Sequence, residues 1–103
     1  MSIEEIVKNE RAYFKTGATR SYAFRMKQLN LLEEAIKKNE KKLMDALHKD
    51  LNKSPYESYI TEIGIVLEEI KYHKKHLRSW MKAKCVSHKL SHFPAVGYRI
   101  HEP

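Results

Sequence analysis

The residues with chemical potential gather toward one end of the chain. Cys85, His88 and His92 follow a C-x2-H-x3-H spacing, with His73 and His76 shortly upstream. Zinc ligands must converge on one point at about 2.0–2.3 Å. On a strand His88 and His92 share a face but stand roughly 13 Å apart at 3.3 Å per residue. No second cysteine completes a ligand set. The histidines therefore read as solvated side chains on a basic surface, and no metal ligand is assigned. A nucleophilic Cys85 needs a depressed pKa and an organised base. Lysines neighbour Cys85 in sequence, but no Asp or Glu lies close enough to orient a histidine. Cys85 reads as a small buried or half-buried thiol, and no catalytic residue is assigned.

Phosphate and dinucleotide cradles require glycine-rich turns. Gly17, Gly64 and Gly97 are isolated, so no cofactor-binding residue is assigned either. Gly64 falls midway along a strong helical pattern, where glycine costs about 1 kcal/mol against alanine; close packing of another element is the expected reason. Most carboxylates have a lysine at helical spacing, such as Glu34 with Lys38, and such surface pairs imply no acid–base chemistry.

These residues are carried on a helical framework. Ser2 with Glu5 forms a capping box, and Ile3, Ile6, Val7, Tyr13 and Phe14 make a helical stripe to about Lys15. Gly17 suits the left-handed position after a helix. Thr19 or Ser21 then caps a second helix with the stripe Tyr22, Met26, Leu29, Leu32 and Ile36, ending near Lys38. Asn39 caps a third, with Leu43, Ala46, Leu47 and Leu51 inward. Residues 50–53 form the loop before the strongest element. That element opens at Ser54, with Pro55 at the first helical position and Glu57 as capping-box partner. Tyr59, Ile60, Ile63, Leu67, Ile70, Leu77 and Met81 then mark one face of a long helix over about 54–82, roughly 42 Å at 1.5 Å per residue.

Beyond Lys84 the period changes. Val86, His88 and Leu90 alternate with polar residues, as do Val96, Tyr98 and Ile100, with Phe93-Pro94-Ala95 between them. This pattern predicts two strands and a possible hairpin, with Pro94 at an edge or in the connection. An isolated hairpin is marginal in water, and no other segment offers a strand to join it. The chain is thus expected to be mostly α: three to four amphipathic helices, then a C-terminal extended segment. Its organisation is a helical layer over 1–83 followed by an extended segment over 84–103.

Length allows one modest core in 103 residues. A hydrophobic content of 42% is too high for disorder, and no apolar run approaches the ~20 residues of a membrane span. The single cysteine fits a reducing, cytoplasmic setting. Charge is uneven: from Lys71 to Arg99 there are eight basic residues and no acid. Such an end suits an anionic partner. With Tyr72, Trp80, Phe93 and Tyr98 interleaved it invites comparison with nucleic-acid and membrane-surface binders, yet no nucleic-acid motif supports the first. The second lacks a broad apolar face. A solvated helix face is the simpler reading.

Several phrases together resemble the N-terminal part of an aldehyde dehydrogenase of the class 3-like, fatty-aldehyde or benzaldehyde type. They are Arg11-Ala12-Tyr13-Phe14-Lys15-Thr16-Gly17-Ala18-Thr19, Phe24-Arg25 and the run from Leu47 to Ser54. Glu57-Ser58-Tyr59-Ile60-Thr61-Glu62-Ile63-Gly64 is the most specific, followed by Leu67-Glu68-Glu69-Ile70, Phe93-Pro94 and Glu102-Pro103. The resemblance implies an enzyme that oxidises aldehydes to carboxylic acids with NAD or NADP. In that family a cysteine attacks the aldehyde, hydride passes to the nicotinamide, and a glutamate-activated water releases the acid. The residues that do this, and the cofactor-binding strands, match no position of this chain, and Cys85 does not fit the nucleophile's motif. The resemblance further implies that residues 1–82 form a helical layer on the cofactor domain and that 85–101 form the hairpin of an oligomerisation sheet. The chain is accordingly expected to be a catalytically inactive fragment that self-associates or joins the rest of the enzyme. The alternative is a small basic helical module that binds an anionic partner, nucleic acid or a membrane surface.

Overall fold

A computed structural model describes residues 1–87 and 92–102. The helices form where their caps are written. Helix α1 (Ile3–Lys15) opens with the reciprocal Ser2/Glu5 box: the Ser2 N–H donates to the Glu5 carboxylate at 2.8 Å, and the Glu5 N–H to Ser2 Oγ at 3.2 Å. It stops at Thr16 and Gly17, the latter at φ 75°, a conformation that glycine adopts without steric cost. Helix α2 (Tyr22–Lys38) takes Ser21 as its cap, which accepts from the Phe24 N–H at 3.1 Å. Helix α3 (Glu40–Leu51) follows directly. Asn39 makes no side-chain cap to α3. Its Nδ2 donates back to the Ala35 carbonyl at 2.8 Å, so it finishes α2 instead. Asn52, at φ 54°, ends α3 and returns its N–H to the His48 carbonyl at 2.8 Å.

The long helix is present, but it has a joint. Helix α4 (Pro55–Ser58) starts on Ser54, whose Oγ accepts from the Glu57 N–H at 3.2 Å. A π-helical turn, Tyr59–Ile63, follows, and α5 (Gly64–Trp80) continues from it. The Gly64 N–H bonds the Tyr59 carbonyl five residues back, the defining bond of a π turn. A Cβ on Gly64 would stand 2.6 Å from that same carbonyl oxygen. Glycine is therefore required by its own helix, not by a second element packing on it.

The turn also resets which face points inward. Simple 3.6-residue spacing places Tyr59 and Ile60 in the core, yet they are 45% and 47% exposed. Among the described residues the buried ones are Ser58, Ile63 and Ile70. Ser58 and Ile63 are five apart, one full π turn, so the inserted residue brings them onto one side. From Ile63 onward the ordinary spacing resumes through Leu67, Ile70 and Leu77.

Strands β1 (Lys84–Val86) and β2 (Gly97–Arg99) pair antiparallel, with Lys84 opposite Arg99, Cys85 opposite Tyr98 and Val86 opposite Gly97. The expected hairpin is thus formed over three residues a side. His88 and Leu90, also expected on a strand, lie outside the described residues. Residues Met26–His76 make one compact unit, and Met1–Arg25 with the chain from Leu77 onward make another. Helices α1, α2 and α3 contain no fully buried residue.

Candidate functional site: an acid-rimmed groove and its uncovered neighbours

None of the chemistry-bearing residues assembles into a reactive site among the described residues. Cys85 is exposed on β1, not half-buried. His92 lies in the turn before β2, and His88 is outside the described residues. His73 Nδ1 donates to the Glu69 carbonyl at 2.7 Å and His76 Nδ1 to the Tyr72 carbonyl at 2.9 Å. Those nitrogens carry protons and offer no lone pair to a metal. No group of three His, Cys, Asp or Glu stands close enough to hold an ion among the described residues.

Polar side chains instead clasp the helices. Glu33 of α2 binds Lys37 one turn on at 2.8 Å and reaches across to Lys74 of α5. The ion pair on α2 is thus Glu33 with Lys37, one residue before the pair suggested by Glu34 and Lys38. The Lys37 bond, then the Lys74 bond, hold the Glu33 carboxyl down at about 2 from an ordinary 4.5, and Glu33 in turn raises Lys37. Lys53 closes the turn before α4 onto Glu62 at 2.7 Å. The Arg78 guanidinium sits 4.4 Å from the centre of the Tyr22 ring, a cation–π contact, and Arg25 Nε donates to the Thr19 carbonyl at 2.9 Å.

The concave feature of the unit Met26–His76 is an open groove of about 560 Å³. The end of α2 contributes Ile36, α3 contributes Leu43, Ala46 and Leu47, and Ile63 with Val66 form the opposite wall. Asp50 and Glu62 stand at its rim. Leu43 and Val66 remain 40% and 45% exposed. The stripe residues of α3 were legible in the sequence, but the groove was not, since it depends on the π turn that aims Ile63. Elsewhere Ile3, Ile6, Val7, Tyr13 and Phe14 of α1 are all exposed, as are Tyr98 and Ile100 at the hairpin. Lys71, Lys75, Arg78 and Lys82 recur at helical spacing and are likewise exposed. No described helix is long and apolar enough to cross a membrane.

Four helices, one of them jointed by a π turn, lead into a short hairpin and leave apolar side chains of α1 and the hairpin exposed. No family model matches the chain. Individual relatives do. Over 101 residues the chain is 42% identical to the 4,4'-diaponeurosporen-aldehyde dehydrogenase of Staphylococcus aureus, which covers 98% of the chain and 22% of that protein. It is 45% identical over 78 residues to the dimeric NADP-preferring aldehyde dehydrogenase of Canis lupus familiaris, covering 76% of the chain and 17% of the relative. Aldehyde dehydrogenase family 3 member B1 of Mus musculus is 40% identical over 90 residues, 87% of the chain and 19% of the relative. A solved structure, the substrate-bound state of Staphylococcus aureus AldH, matches with a TM-score of 0.89 at 41% identity. It covers 100% of this chain and 22% of that one. This chain belongs to the aldehyde dehydrogenases and corresponds to their N-terminal part. It spans about a fifth of the length of the curated relatives it matches.

Proposed function

We propose that the chain is the N-terminal layer of an NAD(P)-dependent aldehyde dehydrogenase, supporting the cofactor domain and contributing the hairpin to oligomerisation. By itself it carries no dehydrogenase activity, and its setting is cytoplasmic. The observation that carries this reading is the coverage: nearly the whole chain aligns, yet with only 22% of the relative's length. Aldehyde oxidation and NAD(P) use are supported by the names the relatives carry. Inactivity alone is supported by the chemistry of Cys85, an exposed strand thiol that matches no nucleophile motif.

The test is a chimera. The whole chain replaces the matching segment of the Staphylococcus aureus enzyme, and NAD(P)H formation from an aldehyde is followed. The chimera should turn over, and the isolated chain should show no rate above the blank. An inactive chimera that is nonetheless folded, or turnover by the isolated chain, would sink the proposal. A second reading, an anionic-partner module, draws on the exposed ridge Lys71, Lys75, Arg78 and Lys82. It requires salt-dependent binding of short nucleic acids or anionic vesicles.

A further inference from the structure

We propose that a hollow beside the start of α2 binds a small oxyanion of the phosphate class, held by Arg25 and Arg20. The hollow has a volume of about 210 Å³ and is lined by Arg20, Arg25, Met81, Ile100, His101 and Glu102. All six belong to the unit formed by Met1–Arg25 and the chain from Leu77 onward. Pockets for drug-sized ligands run to about 300–1,000 Å³, so this one suits an ion. The site uses this chain's own residues and goes beyond the enzyme reading.

Arg25 is the residue that points to a ligand. It is half-buried, and its Nε donates to the Thr19 carbonyl at 2.9 Å. A guanidinium carries five N–H donors and no acceptor. The rest of its N–H groups meet no acceptor, and its charge no carboxylate, among the described residues. A partly dry cation left in that condition is unfavourable. In the same turn Thr19 Oγ1 is buried without a hydrogen-bond partner, so polar groups there outnumber the partners the chain supplies. Other partly buried cations are answered: Lys53 by Glu62 and Lys74 by Glu33.

Arg20 is the movable member. Its Nη2 donates to the Glu102 carboxylate at 3.2 Å, and the two side chains are 63% and 62% exposed. A pair so exposed contributes little, so Glu102 acts as an internal stand-in that an incoming anion displaces. The anion would meet Arg20 with one oxygen edge and the open fork of Arg25 with another, the bidentate fit of guanidinium to phosphate. Two guanidiniums face one carboxylate here, and His101 adds a ring N–H. Helix α2 has no acid in its first turn, so its end adds to the positive field.

The isolated full chain is titrated calorimetrically with inorganic phosphate at constant ionic strength, with chloride as the blank. We expect one phosphate per chain. Arg25→Gln should weaken binding at least about tenfold, the scale of a charged hydrogen bond. Glu102→Gln should tighten it by up to about fivefold, the scale of an exposed ion pair, because it frees Arg20. Lys71→Gln, on the exposed face of α5, should change nothing. Circular dichroism shows whether Arg25→Gln keeps its helices; if it does not, Glu102→Gln at its exposed position decides alone. Glycerol phosphate is titrated alongside, and binding of either form supports the site while telling a free ion from an ester. No heat beyond the chloride blank overturns the proposal. So does a Lys71→Gln loss equal to that of Arg25→Gln, or a Glu102→Gln variant that binds no more tightly. The chimera test is independent of all these outcomes, so the functional reading stands or falls separately.

Discussion

Replacing Gly64 by alanine sets two effects against each other. Gly64 has helical backbone angles, φ −62° and ψ −39°, and at an ordinary helical position alanine gains about 1 kcal/mol over glycine. Here the new Cβ would meet the Tyr59 carbonyl oxygen at 2.6 Å. The obstructing atom is backbone, so relief requires the π turn itself to move. Overpacking of this kind costs about 1–3 kcal/mol, and loss of the Gly64–Tyr59 hydrogen bond adds about 1. The net expectation is destabilisation by about 1–3 kcal/mol, several degrees or more in melting temperature for a chain of this size. Urea denaturation followed by far-ultraviolet circular dichroism measures it, with Ser79→Ala on the exposed side of α5 as the reference. A Gly64→Ala midpoint that rises, as helix propensity alone requires, would refute the close approach and with it the account of the π turn.

Other outcomes are equally direct. Glu33 titrates near 2 when folded and near 4.5 otherwise, so its stabilisation is complete above 4.5 and fades as pH falls toward 2. Glu33→Gln should flatten that acid limb of the urea midpoint against pH, and an unchanged limb would mean the Lys37–Glu33–Lys74 clasp does not persist in solution. Ser54→Ala removes the cap of α4 and should cost about 1 kcal/mol in the same denaturation assay. The isolated chain, with its α1 face open, should associate as concentration rises. A constant monomer mass by sedimentation would argue against the oligomerising role.

How much was legible in the sequence depended on whether the information was local. Ser2 with Glu5, Gly17, Ser21 and Ser54 state helix ends through short-range hydrogen bonds, and those ends stand where the residues put them. Period-two alternation likewise found β2, while β1 shares only Val86 with the alternation of Val86, His88 and Leu90. The failures have a common origin in a choice between two nearby partners. Asn39 can cap forward or backward, and the Ala35 carbonyl wins. Glu33 and Glu34 both have a lysine four residues on, but only Glu33 also faces Lys74. Apolar spacing read with one helical period throughout puts Tyr59 and Ile60 inward, and the π turn puts them out. The signal that could have warned of the joint was Gly64 itself, an expensive residue in a strong helix. For the functional reading, nothing in composition or spacing pointed to a catalytic centre. The resemblance carried it, through phrases such as Glu57 to Gly64 that coincide with the jointed stretch.

The π turn in that stretch keeps the phase of everything downstream. Each residue of an α-helix turns it by about 100°, so one extra residue in a continuous α-helix would swing the rest of α5 by that angle; the five-residue π turn absorbs it instead. Lys74 thereby keeps Glu33, and Ile70 keeps its buried place. Deleting one position between Tyr59 and Ile63 would leave a plain α turn with the seventeen-residue α5 on nearly the same bearing, whereas the same deletion within α5 itself would rotate everything beyond it.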